Sequence, residues 1–261
     1  MLDIENLLAL ARTSKGQIGI GLRARPDVID ESIRMARQQG LPEVIAYDDA
    51  QKLCTDLRDR KICAAVRGTL PSGEVLAAIK ETYGIQRVLR VALLSTSNGK
   101  QFFLAPVGID EGNSLEERFE LMKQGVRYLK CLGVEAIVAV LSKGRVEDGN
   151  RGDEIARSLD EGDRLTEMAI KAGISAKHEH ILIEKAVQEA DFVLAPDGAS
   201  GNLIFRSLYF LGGGGAIGAP VVNIGKIFVD TSRDKLNYAD SIGLAAALCA
   251  ARARTQARIR K

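Results

Sequence analysis

Residues able to hold an anion concentrate between Asp191 and Arg233. There the apolar run Phe192-Val193-Leu194 ends at Ala195-Pro196. Asp197, Gly198, Ser200, Gly201 and Asn202 follow before a segment rich in Leu, Ile and Phe resumes. This pattern is that of a strand, a tight loop and a helix start. It would put glycines where backbone can approach a ligand, side-chain donors beside them, and free N–H groups that favour an anion. An ordinary strand-to-helix connection accounts for the same residues, because the run is neither G-x-G-x-x-G nor G-x-x-x-x-G-K-[ST]. The apolar segment is expected to be a buried helix, and Gly212–Gly215 a flexible turn after it.

Two further polar loops end apolar runs. Arg67, Thr69 and Ser72 follow Cys63-Ala64-Ala65-Val66, and they read either as a helix cap with a surface arginine or as ligand contacts. Arg145 and Arg151 stand in the loop after Ala136–Ser142, at the kind of strand end where open α/β sheets take ligands. His178 and His180 share one side of a strand by their H-x-H spacing. With no third ligand in reach they are expected to be solvated rather than metal-bound. Cys54, Cys63, Cys131 and Cys249 form no C-x-x-C pair, so neither a disulfide framework nor zinc is expected, and Cys63 and Cys131 read as buried thiols.

The elements that must position these residues alternate. A helix with Ile4, Leu7, Leu8 and Ala11 on one face is followed by a strand in QIGIGL. A helix capped by Asp27 comes next, then a strand in PEVIAY, and then the Cys63 run with a helix through Val75, Leu76 and Ile79. Two apolar runs joined by Thr96-Ser97-Asn98-Gly99-Lys100 read as an antiparallel hairpin. Ser114 and Glu117 form a capping box for a long helix ending at Gly133, and a later helical stretch is interrupted near Gly162. An Ala-rich helix from about Tyr238 closes the chain. Strands alternating with helices argue for a mostly parallel sheet covered on both faces.

The 261 residues are 46% hydrophobic and 27% charged, which is ordinary for a globular chain of one or two domains. The acids ahead of the apolar residues in MLDIENLLALARTSKG point to a first helix rather than a signal peptide, and no apolar run is long enough to span a membrane, so a cytoplasmic protein is expected. A net charge of +2 gives no reason to expect nucleic acid, and Arg252, Arg254, Arg258, Arg260 and Lys261 read as a solvated helix end.

The order of motifs resembles that of a known family. A strand ending in Leu-Ser, the APD-G-A-S-GN-L helix start, a Leu-Gly-Gly turn, an Ala-Ile-Gly-Ala-Pro segment and Asp-Thr-Ser-Arg resemble the phosphate acetyl/butyryltransferases from about Val134 to Asp240. Within that group the chain looks most like the methanogen MtxX family, also labelled methanogenesis marker protein 4, whose members are described as methyltransferase subunits. The resemblance implies a two-lobed isocitrate/isopropylmalate dehydrogenase-like, phosphotransacetylase-like α/β/α fold. Its first lobe would comprise residues 1–95 plus 229–261 and its second residues 96–228, with a cleft between them and usually a homodimer.

By the same resemblance Ser232 and Arg233 match a Ser-Arg pair that stabilises the reacting centre and binds phosphate. Asp240, displaced by one residue, matches an aspartate that deprotonates the coenzyme A thiol. Gly201-Asn202 matches the helix start, and Ser142 the strand end. Asp234 stands where the family has glycine, the hairpin strand FFLAPVG lacks the family's acid, and the chain is shorter. The expected function is therefore a phosphotransacetylase-like transferase that binds a phosphate-bearing ligand and moves an acyl group between phosphate and coenzyme A, without a metal. The alternatives are a methyltransferase-associated subunit partnering a methyltransferase or corrinoid protein, and a non-catalytic ligand-binding relative. A dehydrogenase using NAD(P) is disfavoured for want of a metal-binding acid cluster.

Overall fold

The computed structural model describes residues 4–259. In chain order its elements are α1 (Ile4–Ala11), β1 (Ile18–Gly21), α2 (Pro26–Gln38), β2 (Val44–Tyr47), α3 (Ala50–Arg58), β3 (Ala64–Val66), α4 (Ser72–Tyr83), β4 (Ala92–Ser95), β5 (Gln101–Ala105) and α5 (Leu115–Cys131). They continue with β6 (Ile137–Leu141), α6 (Asp153–Lys171), β7 (Ser175–His180), α7 (Ile183–Glu189), β8 (Phe192–Leu194), α8 (Gly198–Phe210), β9 (Gly215–Pro220), β10 (Ile227–Asp230) and α9 (Ala239–Ile259). Two compact units result: a mid-chain unit, Leu89–Ala216, and a terminal unit of residues 4–88 and 217–259 among those described. The divisions fall at 88/89 and 216/217, so β4 belongs with its hairpin partner β5.

In the terminal unit β2, β1, β3 and β10 lie parallel in that order, with Ile18 opposite Val44 and Ala64, and Ala64 opposite Ile227. Ile18, Ile20, Ala64, Ala65, Val66 and Val229 are fully buried, the unalternated apolar pattern of parallel strands covered on both faces. Strand β10 comes from the far end of the sequence, and α9 follows it to pack on α1, α2, β1, β3 and β10. Its small residues Ala245, Ala246 and Ala247, all fully buried, allow this close approach. The buried Tyr238 anchors the helix start, its N–H donating to Ser32 Oγ at 2.9 Å. Helix α2 begins two residues earlier than its sequence suggests. Arg25, at φ 53°, is the N-cap and Pro26 opens the helix, because proline has no N–H to leave unpaired there; Asp27 sits in the first turn. Helix α3, started by Asp49 accepting the Lys52 N–H, is an element the periodicity reading passes over. Arg258, Arg260 and Lys261 of the basic C-terminus lie outside the residues whose side chains are described.

The mid-chain sheet runs β4-β5-β8-β6-β7, antiparallel at the β4–β5 hairpin and parallel thereafter. The hairpin turns through Gly99 at φ 87°, as Asn-Gly predicts. Helix α5 has Ser114 as its N-cap, and Glu117 returns its carboxylate to the Asn113 N–H at 3.2 Å rather than to Ser114. Gly125 sits mid-helix because a Cβ there would lie 2.1 Å from the Phe192 ring.

Three expectations are corrected in this unit. Helix α6 is continuous through Gly162, whose missing side chain makes room for an imidazole rather than a break. Helix α8 is not a buried helix: Leu203, Phe210 and Leu211 just beyond its end are 65%, 50% and 86% exposed, and only Gly198 and Gly201 are buried. Cys131, at the end of α5, is exposed, while Cys54 is buried and Cys63 half-buried.

Candidate functional site

In the mid-chain unit the parallel strands deliver polar groups at their C-terminal ends. Ser142, directly after β6, is 2% exposed, and its Oγ lies 3.1 Å from the Gly144 carbonyl and 3.0 Å from His178 Nε2. His178 Nδ1 is 2.7 Å from Asp163 Oδ1 on α6. Gly162 permits this contact, since a Cβ there would sit 2.4 Å from His178 Nε2. The His180 ring stacks on His178 at 4.1 Å. Burial, then the neighbouring His178, lowers the His180 pKa. The histidines thus share a face as their spacing requires, but His178, with a side chain only 7% exposed, is packed into a carboxylate–imidazole–hydroxyl chain rather than solvated. A serine buried in that chain beside a main-chain carbonyl orients the loop; it is not an exposed nucleophile.

The start of α8 holds its own anion. Asp197 accepts the Ser200 N–H at 2.7 Å, and Lys143 Nζ bridges Asp197 (2.8 Å) and Glu154 (2.7 Å). Burial pushes the Asp197 carboxyl up, but Lys143 and the Ser200 donors prevail and hold it below the usual range. Gly198 and Gly201 admit neighbouring backbone: their Cβ atoms would lie 2.0 Å from Gly108 O and 1.9 Å from Pro106 O. Asn202 Nδ2 donates to Val107 O at 2.9 Å. Asp197 to Asn202 therefore clamp the loop after β5. Arg151 is largely exposed, paired with Asp148 at 3.0 Å on the short 3-10 turn Val146–Arg151.

The terminal unit gathers basic groups at the C-terminal ends of β1, β3 and β10. Arg67, expected at the surface, is 6% exposed and ion-paired with Asp230, and it donates to Leu70 O at 3.2 Å. Thr69 Oγ1 accepts from the Arg23 and Ala24 N–H groups at 3.0 and 3.3 Å. Ser72 is the first residue of α4, and Pro71 occupies the cap. Beyond β10, Ser232 Oγ accepts the Asp234 N–H at 3.2 Å, which leaves the hydroxyl proton free to donate outward. The turn is gripped from two sides: Arg25 Nη1 donates to the carbonyls of Arg233 (3.2 Å) and Lys235 (3.0 Å), and Tyr238 Oη to those of Ser232 (3.0 Å) and Arg233 (3.2 Å). Among the described residues neither Arg25 nor Arg233 has a carboxylate partner, and Arg233 is exposed.

Asp240 is not a free carboxylate. Lys235 Nζ, almost wholly buried, reaches both its oxygens at 2.9 and 2.8 Å, together with Ser241 Oγ and the Ile217 carbonyl at 3.1 Å. Burial lowers the Lys235 pKa while Asp240 opposes it. Asp230 and Arg25 escape sequence reasoning because each acts through a partner distant in the chain, and Lys235 because its burial against Ile217 leaves no mark in its spacing from Asp240. No group of three or more His, Cys, Asp or Glu able to hold a metal occurs among the described residues, and no described helix is long and apolar enough to cross a membrane.

No protein-family model matches the chain. It is 40% identical over 264 residues to a Methanosarcina mazei protein named "Putative methyltransferase mtx subunit X", covering 94% of each. Among solved structures it is similar to a branched-chain phosphotransacylase from Enterococcus faecalis, with a TM-score of 0.70 at 15% identity over 89% of this chain and 98% of that one. It is equally similar to the EutD phosphotransacetylase from Staphylococcus aureus, at 0.70 and 13% identity over 96% and 99%. At these identities the likeness shows a common α/β fold.

Proposed function

The chain belongs to the mtx subunit X family, and on the phosphotransacetylase fold it shares we propose that it is a transferase taking a phosphate-bearing ligand at the C-terminal edge of the terminal unit's sheet. One observation carries this reading. The Ser232-Arg233 turn is held rigidly by Arg25 and Tyr238 through its carbonyls, which leaves the Arg233 guanidinium exposed and without a carboxylate partner among the described residues. A planar guanidinium on a fixed turn is suited to bidentate phosphate recognition.

The proposed reaction is acyl transfer between phosphate and coenzyme A. The thiol sulfur attacks the carbonyl carbon of an acyl phosphate, a C–S bond forms, the C–O bond to phosphate breaks, and phosphate leaves with the electron pair. Arg233 and Arg25 take the phosphate charge, and the Ser232 hydroxyl donates to the carbonyl oxygen as it becomes an oxyanion. Asp240, oriented by Lys235 and about half exposed, receives the thiol proton, which must leave a group of pKa about 8.5. Calorimetric titration with butyryl phosphate tests the binding step. Saturable heat in the native chain that is lost in Arg233→Ala is expected, and equal binding by both proteins rules the assignment out.

The name carried by the relatives favours a second reading, a subunit assisting methyl transfer to or from a corrinoid, pterin or thiol carrier. Assembly as a homodimer or with such a partner belongs to these proposals, and Leu203, Phe210 and Leu211 are the apolar residues it would cover. Recovery of a stoichiometric methyltransferase or corrinoid protein with the tagged chain, combined with no butyryl phosphate binding, would select the second reading.

A further inference from the structure

A cavity of about 640 Å³ opens in the terminal unit, away from the C-terminal strand ends. Its walls come from the segment after α1, the end of α3 and its following turn, the residues that enter β3 and β10, and the stretch Cys249–Arg254 of α9. It therefore faces the N-terminal edge of the parallel strands, opposite the edge that carries Arg25 and Arg233. Lys15, Arg60, Lys226, Arg252 and Arg254 line it, and among the described residues no carboxylate does.

Among the described residues Lys15, Arg60 and Arg252 have no ion pair, Lys226 Nζ donates to the Arg58 carbonyl at 2.8 Å, and Arg254 reaches only the Thr13 hydroxyl at 3.4 Å. Burial, then the charges of Arg60 and Arg252, push the Lys226 ammonium below its usual range, and the nearby Asp59 carboxylate, itself ion-paired with Arg58, opposes them only in part. Arg60 is moreover held at φ 63°, a backbone region that costs energy for a side chain of this size. Leu57, Ile62 and Ile227 give the cavity an apolar wall, and its volume lies in the range of small-molecule sites.

We propose that this cavity binds an organic anion bearing two or more phosphate groups, the phosphates held by Arg60, Lys226, Arg252 and Arg254 and the organic part laid against Leu57, Ile62 and Ile227. Guanidinium forks and an ammonium group suit multiple phosphate oxygens, whereas a single carboxylate would leave most of the charge uncompensated. The site is distinct from the edge proposed for transfer and does not depend on it.

Cys63 lines the same cavity and reports on its occupancy. Hydrogen bonding from the Cys249 side chain, whose Sγ lies 2.9 Å from the Cys63 carbonyl, holds the Cys63 thiol down at about 7 against the effect of burial. The test uses the full chain with Cys131→Ser, which removes the exposed thiol, and ATP, inorganic pyrophosphate and adenosine as probes. The expected results are saturable calorimetric binding of ATP and pyrophosphate but not adenosine, weakening with salt, and at least fivefold slower modification of Cys63 by an anionic aromatic disulfide when ATP saturates. Arg60→Asn with Arg252→Gln, chosen because asparagine tolerates the left-handed backbone, should weaken ATP binding at least tenfold with an unchanged melting temperature. No saturable binding by millimolar ATP or pyrophosphate, or ATP binding that leaves Cys63 reactivity unchanged, overturns the proposal. So does a single-stranded oligonucleotide that binds more tightly than ATP through the same arginines, since the surface would then be one for nucleic acid. If the double variant unfolds, the protection of Cys63 in the otherwise native chain still decides.

Discussion

Arg233 is the residue on which the transferase reading turns, because its backbone is fixed while its guanidinium is not engaged by a carboxylate among the described residues. Arg233→Ala should lower kcat/KM for an acyl phosphate by ~10²-fold or more, and Arg233→Lys should recover only part of it, since an ammonium lacks the bidentate fork. Asp234 works against the same site. On the proposed reading its carboxylate, next in the chain to Arg233, would repel the incoming phosphate, so Asp234→Gly should tighten phosphate binding by about fivefold, the ~1 kcal/mol of a like-charge contact in a well-hydrated setting. Titration with inorganic phosphate reads this directly, and unchanged affinity would mean the phosphate lies elsewhere. Of these residues Ser232, Arg233 and Asp240 were legible in the sequence only through the resemblance of Asp-Thr-Ser-Arg to a known motif. The roles of Arg25 and Lys235 were not legible, because a cation gripping main-chain carbonyls leaves no trace in spacing.

At the level of elements, helix α6 and strand β7 are joined by the Asp163–His178–Ser142 chain and by the glycine that admits it. Gly162→Ala should displace the imidazole and cost about 1–3 kcal/mol in denaturant unfolding, the usual penalty for overpacking. The stacked histidines also set a pH dependence. The His180 pKa is lowered in the folded chain, so the unfolded chain binds more protons near and below the ordinary histidine pKa, and stability must fall as pH drops from about 7 towards 5. The chain has only two histidines, so His180→Gln should flatten this slope, and an identical slope in the variant would exclude the assignment. Helix α5 was readable in advance from its cap and its apolar stripe. Helix α8 misled because Leu, Ile and Phe signal burial whether the covering surface belongs to this chain or not. Gly162 misled because a glycine that breaks a helix and a glycine that makes space inside one look alike until the partner, here His178, is known.

Over the whole molecule, the return of the chain is the organising fact: β10 and α9 complete a sheet begun by β1, β2 and β3. Removal of residues 227–261 takes away the parallel neighbour of β3 and the helix that covers it, so the remaining terminal-unit residues should lose their cooperative unfolding transition and their amide-exchange protection. Alternating strands and helices made the parallel α/β class legible, but pairing between strands so distant in sequence cannot be read from local periodicity, which reports faces rather than neighbours. The loop from Asp197 to Asn202 illustrates the same limit: its glycines mark a close approach, and what approaches them is the Pro106–Gly108 backbone from a distant part of the chain. The most direct test of the transferase reading is the loss of coenzyme A thiol with acetyl or butyryl phosphate, followed in the native chain and in Asp240→Asn. Turnover in the native chain, with kcat reduced ~10²-fold and acyl phosphate KM little changed in the variant, is predicted. No thiol loss above the uncatalysed rate at saturating acyl phosphate would contradict it.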